Sequence, residues 1–472
     1  MEVVAQVIAS LVCSNPLLSP RSARMTPLDI LRAHEPGRRT RPEDCASRTP
    51  LPIDEGDRVG VVLFNMGGPA TLDDVEPFLY RLLMDPLFLD VPVGGRMRHW
   101  LATSIAYARA ESLCERYELI GGGSPVPRLA HEQAEVLQGQ LQARYGEPAG
   151  VEFRTYPAMR YGTPFPEEAA AAMAADGIDK VVLLPSYPQY STATTGSALA
   201  YWEALGEAGE RPSWPTTVVP EYAANPKYVQ AVSERIDEAL QRFPKGVRDD
   251  VALVFSAHDT IFNVRGQRKT PYCCHVHSTV EQVMRLRGRD RLFRTAFQGM
   301  IGPNRWLSSS TPAAITTLAN QGCRAVLVIP ITFVTDHVNI RYDLDVSVRE
   351  TAEAHGVDHF EVTAGLNTHP LFIEALGEAA LAQLDMPTDL SQLRHGGDGH
   401  TGAYPLRALG QLPRHPIRHE TGACPSCGRQ RGARRWTRPG QSPPPEPSTD
   451  RPASAPGDRS GPTAESRSRE DS

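Results

Sequence analysis

The sequence predicts an α/β protein made of two Rossmann-like halves, each a doubly wound parallel sheet with helices on both faces, and a cleft between them. Three observations carry that expectation. Short, continuous apolar runs rich in Val, Ile and Leu alternate with amphipathic stretches, which is the pattern of strands buried on both faces. The alternation comes as two series that meet near residue 245. Outside these series the composition changes: after Trp436 there is no Leu, Ile, Val, Met or Phe. Such a segment cannot bury enough apolar surface to offset its ordering entropy.

The first series opens with a strand at Val59 to Phe64, a Gly-rich turn, and a helix from Thr71 to Leu83. There Thr71 and Asp74 have the spacing of a capping box. A strand at Val151 to Met159 follows, then an Ala-rich helix from Pro166 stopped by Gly177, and a buried strand at Lys180 to Pro185. A helix at Gly196 to Leu205, a strand near Thr216 to Val219 and a helix at Pro226 to Phe243 complete it. The second series has strands at Val251 to Phe255, Leu292 to Phe297, Ala325 to Ile331 and Phe360 to Ala364. Its helices lie near Val276 to Arg287, Pro312 to Gln321, Ile340 to His355 and Leu371 to Leu384. The predicted organisation is a leader or overextended start (1–57), two halves (58–245 and 246–387), and a disordered Pro/Ser/Arg-rich tail (388–472).

Composition narrows the function. The 472 residues allow two or three compact units. Lys plus Arg number 49 against 55 Asp plus Glu, a net charge of −6 without the basic excess that tracks nucleic-acid phosphates. No run approaches the ~18 apolar residues of a spanning helix. Val3 to Val12 follows Glu2 instead of a basic residue, against a signal peptide. Eight cysteines spread over the whole chain are too sparse for a disulfide framework and fit a reducing cytoplasm.

In an open α/β sheet, ligands bind beyond the carboxyl ends of the strands. The residues there are Asn65-Met66-Gly67-Gly68-Pro69, Arg160-Tyr161-Gly162-Thr163-Pro164, and Ser186-Tyr187-Pro188-Gln189-Tyr190-Ser191. The second half adds Ser256-Ala257-His258, Gln298 with Trp306, and Thr332 to His337. None of these loops carries a phosphate-cradling signature, neither G-x-G-x-x-G nor G-x-x-x-x-G-K-[ST]. Aromatic loops and two histidines on one edge suit a large, flat, apolar ligand and a cation.

At these residues, and at Ile120-Gly121-Gly122-Gly123-Ser124-Pro125, the chain closely resembles the ferrochelatases, which insert ferrous iron into a porphyrin to make haem. The resemblance runs in family order from about Arg58 to Leu384. It implies a metal chelatase of the lyase class, with Fe(II) and protoporphyrin IX as substrates and no organic cofactor. By resemblance His258 is the catalytic histidine, acting on the macrocycle centre as proton acceptor or metal ligand. Met66 takes the opposite face, where the coproporphyrin-using branch has Tyr. Arg160, Tyr161, Trp306, Phe333 and His337 match substrate-contacting positions, with Ser124 and Tyr117 as weaker matches at the propionate end. Leu87 to Val91 matches an apolar lip beside the pocket mouth, which implies peripheral membrane contact.

The chain departs from the family at both faces of the site. Asn339 stands where the family has a Glu proposed as proton acceptor or metal ligand, and an amide neither takes a proton near neutral pH nor brings charge to a cation. Asp259 and Ile261 replace the Gly and Pro that follow Ser-Ala-His. Either Asp336, Asp343 or Asp345 supplies the carboxylate, or the chain binds porphyrin or haem without metallating it efficiently. A cobalt or nickel chelatase of the same superfamily is a third reading, kept by His337 and the His275/His277 pair. Some relatives hold a [2Fe-2S] cluster, but here Thr192 occupies the internal cysteine position and the tail has only Cys424 and Cys427, half the ligands. His415, His419, Cys424 and Cys427 have zinc-like spacing in a segment where accidental spacing is the plainer account.

Overall fold

A computed structural model of the protein describes residues 50–89, 93–258, 272–298 and 310–387, with the backbone alone at 339 and 341. Two four-stranded sheets organise it. The first contains β2 (Arg58–Asn65), β3 (Glu152–Met159), β4 (Lys180–Pro185) and β5 (Thr216–Val218) in the order β3-β2-β4-β5. The second contains β6 (Ala252–His258), β7 (Phe293–Gln298), β8 (Ala325–Pro330) and β9 (His359–Val362) in the order β7-β6-β8-β9. Every pairing within them is parallel, so the two sheets wind alike. All of β2 after Arg58 is buried, as is all of β8, which is why these strands read as unbroken apolar runs.

Helices connect the strands: α1 (Val75–Met84), α2 (Gly95–Glu118) and α3 (Val126–Leu141) lie between β2 and β3. Then come α4 (Pro166–Ala175), α5 (Ser197–Ala208), α6 (Pro226–Leu240), α7 (Tyr272–Leu286), α8 (Thr311–Asn320), α9 (Val348–Ala354) and α10 (Pro370–Leu381). Proline marks the first turn of α4, α6, α8 and α10, where its missing N–H has no helical partner to lose. Asn225 caps α6, its side-chain oxygen accepting from the Lys227 and Tyr228 amides at 2.9 and 3.2 Å. Thr71 and Asp74 form the expected capping box, closing a 3-10 turn that leads into α1.

Two regions differ from expectation. The sequence pattern predicts no helix between residues 84 and 150, where α2 and α3 stand. The helix expected at 340–355 begins as a π-helical segment, Asn339–Ser347, before tightening into α9. The end of the described chain returns to the first half. There α10 packs on α3 and α6 in a shared core with Leu137, Leu141, Val232, Ile236, Phe372 and Leu376. Beyond it β10 (Leu384–Asp385) pairs in parallel with β1 (Leu51–Pro52).

This winding fixes where a ligand can sit. In each sheet the first strand has its successor on one side and the third strand on the other, so the loops leaving β2 and β4, and those leaving β6 and β8, diverge. These are the topological switch points at which open α/β sheets bind ligands.

Candidate functional site

At the first switch point the loop after β2 runs against the segment after β3. The Tyr161 amide donates to the Met66 carbonyl at 3.1 Å, and the Arg160 amide to the Asn65 carbonyl at 2.9 Å. Gly67 takes φ +84°, a conformation strained for any other residue type, and a Cβ there would lie 3.1 Å from the Gly162 nitrogen. The 121–124 turn closes on the same loop: a Cβ on Gly123 would meet the Ala70 carbonyl oxygen at 2.2 Å. The Gly-rich motifs thus serve close backbone approach and set Met66, half-buried, beside Tyr161.

Arg160 and Tyr161 are almost fully enclosed, at 6% and 1% exposure. Both donate to one oxygen of buried Asp85, from Arg160 Nη2 and the Tyr161 hydroxyl at 2.9 Å each. Arg160 also lies 3.9 Å over the Tyr201 ring. Burial, then the Asp85 charge, pushes the Tyr161 phenol well above its usual range, so it stays a donor. Sequence reasoning missed Asp85, although an arginine in an apolar stretch implies a buried carboxylate partner.

At the second switch point β6 ends on His258, whose amide donates to Thr332 Oγ1 at 3.0 Å and whose carbonyl accepts from the Tyr272 hydroxyl at 2.7 Å. The loop after β8 brings Phe333 edge-on to both imidazoles, with centroids 5.3 Å from His258 and 4.0 Å from His337. Burial, and next the neighbouring His258, holds the His337 imidazole down to about 3, against a smaller opposing pull from Asp336. His337 is therefore neutral at physiological pH. Gln298, register partner of His258, has a buried Nε2 with no hydrogen-bond partner among the described residues.

The switch points are tied together through Gln189. Its amide, in the loop after β4, donates to the Ile331 carbonyl at 3.3 Å and to Thr279 Oγ1 at 3.1 Å. The three carboxylates weighed against Asn339 are all engaged. Asp336 is buried and accepts from the Gly365 amide and Asn367 Nδ2 at 2.9 and 3.1 Å. Asp343 pairs with Arg116 at 3.2 Å and Asp345 with Arg349 at 2.6 Å. Of the three, Asp336 is the one whose charge acts on His337.

A family model described as ferrochelatase matches residues 58–384. The ferrochelatase of Cyanothece sp. (strain PCC 7425) is 37% identical over 332 residues, covering 70% of this chain and 84% of that one. That of Synechococcus elongatus is 37% identical over 333 residues with the same coverages. The chain belongs to the ferrochelatase family. It is thus a metal chelatase of haem biosynthesis. Among solved structures it is similar at TM-score 0.38 and 10% identity to the sirohydrochlorin chelatase SirB from Bacillus subtilis subspecies spizizenii, over 69% of this chain and 95% of that one. That likeness is too distant to carry an argument.

Within the ferrochelatase frame, the structure gathers Met66, Arg160 and Tyr161 at one switch point and His258, Phe333 and His337 at the other. Trp306, Asp259, Ile261, His415, His419, Cys424 and Cys427 lie outside the described residues, as does the side chain of Asn339. Tyr117 is buried, and burial followed by the Asp343 charge pushes its phenol up. Ser124 Oγ accepts from the Val126 amide at 3.3 Å. The donor set does not fit an iron–sulfur cluster at Thr192, since a half-buried hydroxyl stands where a thiolate is needed. Among the described residues no group of three or more His, Cys, Asp or Glu is gathered to hold a resident metal.

Proposed function

We propose that the chain inserts ferrous iron into protoporphyrin IX. The observation that carries this reading is the placement of two imidazoles on one aromatic ring at the second switch point, in a chain of the ferrochelatase family. Metallation replaces two pyrrole N–H bonds with iron–nitrogen bonds and releases two protons. His258, backbone-anchored at the strand end, is the group assigned to accept them in turn and pass them to water. His337, held neutral, adds no second positive charge against the incoming cation. Met66 on the first loop favours protoporphyrin over coproporphyrin, and Phe333 and Trp306 supply flat apolar contact.

Asn339 favours a second reading, a porphyrin- or haem-binding protein that metallates slowly or not at all. One anaerobic assay separates the two: purified chain with protoporphyrin IX and Fe(II), followed by the Soret band. The band shifts to that of haem under the first reading. Under the second it shows binding without conversion.

The reading includes peripheral membrane contact. Leu87, Phe88 and Leu89 are half-buried, residues 90–92 lie outside the described residues, and the neighbouring helix α2 exposes Met97 and Trp100 at 51% and 55%. No helix among the described residues is long and apolar enough to cross a membrane. Flotation with anionic liposomes tests the contact, and protein left wholly in the soluble fraction counts against it.

A further inference from the structure

Asp85 follows α1 and is fully buried. Its Oδ2 accepts from Arg160 Nη2, the Tyr161 hydroxyl and Ser197 Oγ, which come from the segment after β3 and from the start of α5. Its Oδ1 accepts from the Leu87 amide at 2.8 Å, and its carbonyl accepts from the Leu89 amide at 3.0 Å. One residue therefore folds the lip segment back on itself and fixes the segment to the wall behind Met66. The far end is held too, because Arg98 Nη1 on α2 donates to the Leu89 carbonyl at 2.7 Å. Packing repeats the link: the Tyr161 ring meets Phe78 of α1 edge-on at 6.3 Å and Phe88 of the lip at 6.4 Å. Leu87 packs on the cluster containing Phe64 and Trp202.

A buried ion pair contributes little net stability compared with a well-packed apolar replacement, but it fixes geometry, since each partner is costly to leave unpaired. Here a single oxygen shared by three donors sets the relative position of lip, wall and α5. We propose that Asp85 is a positioning residue that couples the lip to the Arg160–Tyr161 wall, so that macrocycle affinity depends on a carboxylate that touches no substrate. This rests on the porphyrin reading above for its ligand, but the coupling itself is a property of the free protein.

Asp85→Asn keeps the shape and one carbonyl acceptor while removing the charge. In the full chain, amide hydrogen exchange at Leu87 and Leu89 is expected to accelerate about tenfold or more. The KM for protoporphyrin IX rises roughly ten- to a hundredfold, the scale of loss when a positioning contact is displaced. The kcat and the KM for Fe(II) stay within about twofold. Phe88→Ala raises the porphyrin KM less in the Asp85→Asn background than alone, because both changes release the same unit. Unchanged exchange at 87–89, a lowered Tm with unchanged porphyrin KM, or strictly additive effects overturn the coupling. Should Asp85→Asn fail to fold, Ser197→Ala removes one donor to the same oxygen. It is expected to act in the same direction by a smaller factor, and no change in exchange or KM overturns the proposal. If wild type binds porphyrin without metallating it, Kd from fluorescence quenching replaces KM. If wild type binds no porphyrin, the functional reading fails, while exchange at 87–89 still decides the coupling.

Discussion

At the carboxyl end of the first sheet, polar groups are locked to one another, whereas at the second sheet they are packed against a ring. Arg160, Tyr161 and Ser197 all donate to Asp85, and the cluster is sealed by Phe78, Tyr201 and the lip. His258 and His337 instead meet Phe333, with His258 anchored through its backbone. The two sheets wind alike, so the difference lies in side chains and not in topology. Under the proposed function this is a division of labour: the first side would hold the shape of the pocket wall, and the second would present the titratable groups. Breaking the first should register mainly in stability and binding. Breaking the second should register in rate.

The largest expected effect sharpens the second side. Asn339→Glu supplies the carboxylate that the family resemblance implies at this position and, under the proposed function, should raise the metallation rate by ~10²- to 10⁴-fold, the range of a positioned acid or base. A slower variant would show that a nearby aspartate, Asp336 foremost, already fills the role. On the first side, Arg160→Met leaves the buried Asp85 carboxylate without its cation. It should destabilise the chain by about 3–5 kcal/mol in urea unfolding. A loss below about 1 kcal/mol would mean that Asp85 is stabilised by its hydroxyl partners alone.

Phe333→Leu reverses that pattern. It removes two edge-to-face contacts worth about 0.5–1.5 kcal/mol each beyond burial, so stability changes modestly. The metallation rate should fall about tenfold as both imidazoles lose their common support. Equal losses in Tm for Phe333→Leu and Arg160→Met would dissolve the distinction between the two sides.

The smallest effect is a control remote from both switch points, where Lys227 bridges Glu374 and Glu378 between α6 and α10. Burial raises the Glu374 carboxyl, but the Lys227 hydrogen bond and the nearby Lys227 and Arg144 charges outweigh it and leave the group lowered from 4.5. A depressed carboxylate contributes stability that is present above its unfolded value and is lost as pH falls through the folded one. Glu374→Gln should thus be slightly less stable than wild type at pH 7. The gap should close on acidification below about pH 4.5, with metallation at pH 7 unaffected.

Much of this arrangement was legible in the sequence. Strands such as Lys180 to Pro185 are bounded by turn residues and apolar throughout after Lys180, so burial on both faces left one assignment. Helix starts carried Pro166, Pro226 and Pro312. The run from 84 to 150 was not read because its signals are weak in different ways. Helix α2 buries little besides Ala102, Ala106, Tyr117 and an arginine, a stripe without strong apolar contrast. Helix α3 has a clear apolar face, Val126, Leu129, Ala130, Ala134, Leu137 and Leu141, but starts from Pro125 without a capping side chain. At the site, histidines and aromatics after strands were visible because chemistry limits which residue types serve there. Asp85 was not, since its partners are 75, 76 and 112 residues away in the chain and long-range polar pairing leaves no local periodicity.

The most direct test of the account separates chemistry from binding at His258. Wild type and His258→Ala are compared for protoporphyrin Kd by fluorescence quenching and for anaerobic Fe(II) insertion by the Soret band. Insertion should fall by ~10²-fold or more, while Kd stays within about threefold, because the apolar wall supplies most of the contact. Metallation by His258→Ala at the wild-type rate, or a Kd that weakens in step with the rate, would contradict the assignment of His258 as the proton acceptor.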